Sequence, residues 1–407
     1  MRNARPSRIL QLELINDEIQ RQNVNQLDLA NSIGKAVSSL NSFLTGKIKK
    51  ESIFDEYVKD TQAFLFPDLR SADEFYDLII KKIIGGIPGV RHCLSFGETQ
   101  TLWYPAFSTW ERDKEGRANE YQFELDLDVL HLDPELKEAA ELTRSKIESG
   151  EYKIQNGELL HIKQAIWWPP TEPEERIELK AKLVPHEYAL FYTLTTAEHG
   201  RALRKKRLQQ WQKGQIIPEL SPGLGINIGI QSSDGAFILG RRSGSHGPRR
   251  GQIDVGAVEG FDLDRDILDR GLPRRTGERF DIEKIAYRAL SEEFGISEKA
   301  ISSIKYLGFG YDLQYCQWNV IALASVELPA EKIVRKNKYA PHGQEFLELY
   351  PIYGGAAEVF RALSRELEQV WSCGLAVAYF SLLNMYGEDA VELAVEGLDL
   401  RRQEQIV

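Results

Sequence analysis

Two adjacent glutamates, Glu292 and Glu293, stand just before Gly295 in the stretch YRALSEEFGI. Side by side at a helix end, two carboxylates repel unless water screens them or a cation sits between them. In isolation such a pair reads as a solvated helix end; its surroundings point to the cation. Residues three and four apart share a helix face, so Ala289, Glu292 and Glu293 fall together, and Arg288 can pair with Glu292 one turn on. Glu259, beside Gly256 in GAVEG, offers a third carboxylate. Carboxylates of this kind hold a hard divalent cation, Mg2+ or Mn2+, which keeps several waters and borrows phosphate oxygens. Such an ion neutralises phosphate charge and activates water, the two needs of phosphoanhydride cleavage. Arg241 and Arg242, ending AFILGRRS, would steer the phosphates.

The elements that must position these residues are legible from residue 225 on. GINIGIQ alternates as a strand, SSDG turns, and AFILGRRS returns, a β-hairpin in outline. GQIDVGAVEG is a strand running into a glycine-containing loop. After an insertion, FDLDRDILDRGLPRRTGERF, the stretch DIEKIAYRALSEEFGI reads as an amphipathic helix stopped by Gly295. SSIKYLGFGYDLQ and CQWNVIALASVEL follow as a strand pair. HGQEFLELYPI places Glu345 at the start of a late strand. AAEVFRALSRELEQVWSCGLAVAYFSLLNMYG reads as two helices covering the sheet.

This arrangement resembles the Nudix family. The family signature is a glycine, five residues, a glutamate, seven residues, then Arg-Glu-apolar-x-Glu-Glu-x-Gly-apolar. Arg288, Leu290, Glu292, Glu293, Gly295 and Ile296 match its second half, and hairpin, GAVEG loop and helix come in family order between 222 and 390. Two departures stand out. Ala289 replaces the glutamate after the arginine. The insertion breaks the upstream half, so Phe280 stands where its glutamate would fall. The resemblance implies an α/β/α sandwich that hydrolyses a nucleoside diphosphate linked to another group. It implies Mg2+ or Mn2+ held by Glu292, Glu293 and Glu259, and catalytic roles for Glu292, Glu293 and Glu345. Phosphate or nucleotide contacts fall to Arg241, Arg242, Gly256 and Arg288. Tyr311 and Trp318 would stack a nucleobase, with core packing as the equal alternative. The missing glutamate leaves a second reading open, a domain that senses a nucleotide such as ADP-ribose without cleaving it.

Residues 1–70 are helical in pattern. NQLDLANSIG is a short helix ending at Gly34, and KAVSSLNSFLTG another ending at Gly46. Two short helices joined by a glycine turn let the second protrude, and small polar side chains let its backbone approach base edges. Gln26, Leu29, Ala30, Gly34, Val37, Leu40 and Gly46 stand where the phage-repressor-like (Xre-type) helix-turn-helix family places its signature residues. That resemblance implies DNA contacts from Lys35, Ser38, Ser39, Asn41, Ser42 and Lys47. The bland alternative is a small helical bundle for packing or assembly.

Residues 71–215 read as an α+β domain of unreadable role. SADEFYDLIIKKIIGGIPGV is a Ser-capped helix and DPELKEAAELTRSKIESG a second. VRHCLSFGETQTLWYPAF, YQFELDLDVLHL, ELLHIKQAIWWPP and HEYALFYTLTT read as strands. His161 and Lys163 form an HxK, which phospholipase D-type enzymes use for a phosphohistidine. Their pattern wants an aspartate where this chain has Trp168, so chance is the better account. Trp103, Tyr104, Trp110, Trp167 and Trp168 read as core or interface. RALRKKRLQQWQKGQ is a basic linker helix.

The chain of 407 residues suits two or three domains, taken as 1–70, 71–215 and 222–400: an α+β, multidomain fold. No apolar run reaches the length of a membrane span, and the N-terminal stretch shows no secretory pattern. Cys93, Cys316 and Cys373 are too scattered for a disulfide framework or zinc knuckle and fit a reducing cytoplasm. The net charge of −10 works against bulk attraction to nucleic acid, although TGKIKK and RALRKKR are locally basic. Three functions follow: a Nudix-type hydrolase with a DNA-binding head, a nucleotide-sensing transcriptional regulator, or an assembly protein of a nucleotide-signalling or defence system. Expected partners are a nucleotide-type small molecule, double-stranded DNA and a second copy of the chain, with no membrane.

Overall fold

The computed structural model describes residues 11–67 except 13, 14, 17, 20, 21, 23, 46 and 49; 93–108 except 97 and 98; 120–152; 156–168; 178–195; 198–208; 216–243; 251–267; 274–365; and 370–404. The helix expected over 71–90 lies outside these residues, as do Trp110 and positions 209–215 of the basic run. The fold is mixed α/β, with two mixed sheets and a short ribbon.

Near the N-terminus, α1 (Gln26–Ser32), α2 (Val37–Leu44) and α3 (Glu51–Leu65) pack together. Asn25 caps α1 by accepting from the Leu27 N–H at 2.8 Å. Gly34 takes φ +65° in the turn between α1 and α2, a conformation that costs glycine nothing. Leu29, Ala30, Leu40 and Phe43 are wholly buried, and the Phe43 ring lies 5.3 Å from Phe54 and 5.1 Å from Tyr57.

The ribbon is β1 (Ser95–Phe96) with β2 (Thr99–Gln100). Then come β3 (Trp103–Ser108), β4 (Glu120–Leu125), α4 (Pro134–Glu148), β5 (Glu158–Trp168), β6 (Glu178–Glu187), α5 (Tyr188–Thr195) and α6 (Glu198–Leu208). HEYALFYTLTT, expected as a strand, is therefore the end of β6 followed by α5. Ala189, Leu190, Phe191, Tyr192, Thr193 and Leu194 are all buried. A helix buried all round shows no amphipathic period, and its aromatic and threonine content imitates a strand.

The C-terminal region supplies β7 (Leu224–Gln231), β8 (Phe237–Arg242), β9 (Ile253–Val255), β10 (Ala257–Gly260), β11 (Arg279–Phe280), α7 (Ile282–Phe294), β12 (Ile301–Asp312), β13 (Gln317–Val326), α8 (Ala330–Asn337), β14 (Phe346–Ile352), α9 (Ala356–Arg365), α10 (Ser372–Tyr386) and α11 (Glu388–Glu404). The large sheet runs β14-β8-β7-β13-β12-β3, with β10 on β7 and β9 on β8. Its one parallel pair on that path is β13–β7. Helix α7 lies on one face, where Ile285, Ala286 and Leu290 join Ile226, Ile228 and Val320. Helices α9 and α10 cover the other with Phe237, Leu239, Ile321 and Leu323.

The smaller sheet runs β11-β4-β6-β5. Strands cross the expected 215–222 boundary both ways: β3 edges the large sheet beside β12, and β11, from the insertion, pairs with β4. Aromatic burial fastens the exchange. Phe123 packs on Phe261 at 4.8 Å, and Phe107 on Phe309 at 5.8 Å. Among the described residues, no helix is long and apolar enough to cross a membrane.

Candidate functional site

Helix α7 is fixed at both ends. Asp281 caps its start, accepting from the Glu283 and Lys284 N–H groups at 3.1 and 3.3 Å. Gly295 ends it with φ +66°, and the Ile296 N–H reaches Leu290 O at 3.1 Å, a Schellman closure. The carbonyls left over are claimed by the end of α8 and the segment just after it. Asn337 Nδ2 donates to Glu293 O at 2.7 Å, the His342 N–H to Glu292 O at 2.7 Å, and Lys336 Nζ to Gly295 O at 3.2 Å.

This frame gives the two adjacent glutamates different fates. Glu293 is buried, facing the sheet with Ala286, Ala289 and Leu290. Its Oε1 accepts from the Val258 N–H at 3.0 Å, while its Oε2 has no hydrogen-bond partner among the described residues. Burial, then the nearby Glu345, push its pKa well above the carboxylate range. Glu292 turns to the edge of the site. Its Oε1 accepts from Arg265 Nη1 at 2.6 Å. Its Oε2 is buried without a hydrogen-bond partner among the described residues, 3.6 Å from His342 Nδ1 and 3.8 Å from Arg288 Nη1.

Arg288 can pair with Glu292 one turn on, and the two lie 3.8 Å apart. Its main partner is instead Asp266, from the insertion, gripped in a fork of 3.0 and 2.7 Å. The same guanidinium donates to Gly260 O at 2.7 Å and meets Glu259 at 3.0 Å. Helical spacing allows the Glu292 contact, but a bidentate carboxylate at a planar guanidinium outcompetes it. Burial raises the Glu259 pKa, and the pull of Arg288 does not cancel it.

Ligand-type atoms of Glu259, Glu292 and His342 all lie within 4.8 Å of one another. Two carboxylates and an imidazole, one carboxylate oxygen orphaned, fit a divalent cation. Glu293, expected as a ligand, stands outside this trio with one oxygen held by Val258. His342 takes a place that sequence reasoning left empty. A lone histidine some fifty positions beyond the helix carries no local signal, and the same holds for Arg265 and Asp266 in an insertion.

Other expected residues are placed elsewhere. Arg242 is buried, bridging Asp254 at 3.0 Å and Glu345 at 2.5 Å. Burial works against its charge, but Asp254 and Glu345 outweigh it and hold the pKa above the ordinary arginine value. Arg242 is thus buried away from solvent, with Glu345 engaged as its counter-ion. Arg241 donates to Tyr350 Oη at 3.3 Å and Gly251 O at 3.2 Å. Gly256 has φ +71°, and a side chain there would collide with Ile228 O, so it serves a tight crossing over β7 rather than a ligand. Tyr311 and Trp318 are core residues, not a base platform. Tyr311 Oη donates to Leu220 O at 2.5 Å, Trp318 Nε1 to Ser221 Oγ at 3.1 Å, and Phe309 stacks on Trp318 at 4.9 Å.

On α2, Ser38, Ser39 and Asn41 are exposed and Ser42 half-buried; Lys47 beyond it is exposed. Lys35, expected to meet phosphate, is tied to α3 through Glu56 and, at 3.7 Å, Asp60. In the HxK, His161 is wholly buried and Lys163 binds Asp126 and Asp128 at 2.9 and 2.7 Å.

No family model matches the sequence, and no curated protein matches it. Among solved structures, the chain is similar to DR0079 from Deinococcus radiodurans, with 13% identity, 38% of this chain and 81% of that one covered, and a TM-score of 0.28. It is also similar to a MutT (Nudix) protein from Methanosarcina mazei Go1, with 14% identity, 44% and 94% covered, and a TM-score of 0.20. At such TM-scores these likenesses decide nothing, and the site is read from its own geometry.

Proposed function

We propose that α7 and the large sheet form a Nudix-type site that binds a divalent cation with a nucleoside-diphosphate-linked nucleotide and cleaves its phosphoanhydride bond. The convergence of Glu259, Glu292 and His342 within 4.8 Å carries this reading. A cation held there would neutralise phosphate oxygens and acidify a bound water. Arg265, partly exposed and resting on Glu292, is the side chain placed to leave its carboxylate and pair with phosphate. Arg288 and Asp266 hold Glu259 in position from behind.

The test is turnover by the full chain, with Mg2+ or Mn2+, of a panel of nucleotide sugars, dinucleotides and nucleoside triphosphates. At least one diphosphate-linked nucleotide is expected to be cleaved, and Glu292→Gln to abolish cleavage. Silence across the whole panel overturns the hydrolase reading.

One observation favours a second reading. Ala289 is wholly buried against the sheet, so no carboxylate stands at the place where the family has the glutamate after its arginine. A site that binds without cleaving would make the chain a nucleotide sensor, with Ser38, Ser39, Asn41, Ser42 and Lys47 on the N-terminal helices as its DNA face. Coupling must then be reciprocal: nucleotide shifts DNA affinity by the factor by which DNA shifts nucleotide affinity. A titration showing no shift in either direction removes the sensor.

A further inference from the structure

The metal site of the resemblance is all carboxylate, whereas this chain brings an imidazole to it. We propose that His342 is a cation ligand, and that it tilts the site away from Mg2+ toward transition ions of the Co2+ and Zn2+ class. The inference rests on the site reading above.

Three features support it. First, His342 Nδ1 faces Glu292 Oε2 at 3.6 Å, too long for a hydrogen bond, and that oxygen has no hydrogen-bond partner among the described residues. Two ligands each about 2.1 Å from one ion, at tetrahedral angles, stand roughly 3.4 Å apart. The gap suits a shared ion better than direct contact.

Second, the backbone that carries the imidazole is held against α7. The His342 N–H is bonded to Glu292 O at 2.7 Å, so ligand and ligand-bearing helix move as one piece. Asn337 fastens the same segment to Glu293 O. Gly343 follows in a turn so tight that a Cβ would collide with Asn337 O.

Third, ligand chemistry sets the preference. Mg2+ demands oxygen ligands and near-ideal octahedral geometry. Imidazole suits the later transition ions, whose affinities rise along the divalent series. A mixed Glu/Glu/His set therefore favours the later ions more strongly than an all-carboxylate set does.

The experiment titrates the full chain at pH 8 with Co2+, followed by its visible absorption, and with Mg2+, followed by calorimetry. Co2+ should bind at least about tenfold more tightly than Mg2+. His342→Ala should erase most of that ratio by weakening Co2+ alone, and His342→Gln, which offers an oxygen in place of the nitrogen, should leave Co2+ weak while Mg2+ binds at least as well as in the unmodified chain. Far-ultraviolet circular dichroism and thermal melting confirm that both variants fold. If His342→Ala weakens neither ion, His342 is no ligand, and if it weakens both equally, it sets no preference; either result overturns the proposal alone. If the unmodified chain binds neither ion, or Glu292→Gln binds both unchanged, the site reading itself fails and takes the proposal with it.

Discussion

Two places in this molecule gather carboxylates, a cation and histidine. On the small sheet, Lys163 sits between Asp126 and Asp128, each within 3 Å of its ammonium, and His161 lies below it beside His186 at 5.2 Å. Beside α7, Glu259, Glu292 and His342 meet at one point while Arg265 and Arg288 approach from the flanks. The ingredients are alike and the arrangements opposite. In the first, each carboxylate has its own contact to the lysine, and the unpartnered atoms among the described residues are the buried ring nitrogens of His161 and Nδ1 of His186, not carboxylate oxygens. In the second, acceptor atoms converge on a shared space and one carboxylate oxygen finds no donor among the described residues. Convergence of like groups is costly without a ligand, so it marks a site more sharply than the mere presence of charge.

The largest effect that would test the contrast is at Arg288. Its guanidinium is the fork that holds Asp266, which is almost wholly buried, and it touches Glu259. Arg288→Ala leaves a buried carboxylate without its partner, which costs about 3–5 kcal/mol. Urea denaturation should register that loss. A cost below about 1 kcal/mol would mean that the network contributes no more than an exposed ion pair.

Next in size is the pH response of the lysine–histidine cluster. Burial, then the neighbouring His186, push the His161 pKa down to about 3, from an ordinary value near 6.5. The folded state thus refuses a proton that the unfolded chain accepts. Stability is complete above the unfolded pKa and falls as pH drops from 6.5 toward 3, by up to roughly 1.4 kcal/mol per pH unit. Asp126, held low chiefly by Lys163, adds a loss of the same sign in stronger acid. His161→Leu should flatten the slope between pH 6.5 and 4 in thermal melts, and an unchanged slope would assign it elsewhere.

What could be read in the sequence followed from local rules. Asp281 and Gly295 punctuate α7, so its ends were legible, as were the alternating strands β7, β12 and β13. So was the presence of Glu259 near the paired glutamates. Legibility stopped where the third dimension decides. Neighbouring positions on a helix point about 100° apart, and nothing local says that Glu293 goes under and Glu292 to the rim. His342 becomes a neighbour only because α8 folds back along α7. Strand β11 is two residues long and joins a sheet assembled from far upstream. Tyr311 and Trp318 show how burial overrides a plausible role: an aromatic in a strand facing a domain junction is core before it is a platform.

Arg265 offers a smaller and more selective probe. It stands on Glu292 at 2.6 Å and on Asp262 at 3.0 Å, with its side chain 42% exposed. A surface pair of this kind is worth about 1 kcal/mol or less to folding, so Arg265→Ala should barely move the melting temperature. It competes with any cation for the same carboxylate, so the variant should bind divalent ions several-fold more tightly by calorimetry. Unchanged affinity would show that the ion and the guanidinium do not share Glu292.

The smallest expected effect is at Lys163, and its smallness matters. Its ammonium is partly exposed and satisfied by two aspartates. Lys163→Ala removes a solvent-screened pair, about 1 kcal/mol at most, and leaves Asp128 in water. Asp126, more sheltered, keeps its hydrogen bond from the Asp128 N–H at 2.9 Å. Neither nucleotide turnover nor cation affinity should change, because both carboxylates of this cluster already have the lysine as their counter-ion. A loss of activity in this variant would mean that pairing is no mark of a structural cluster, and the distinction drawn between the two regions would have to be abandoned.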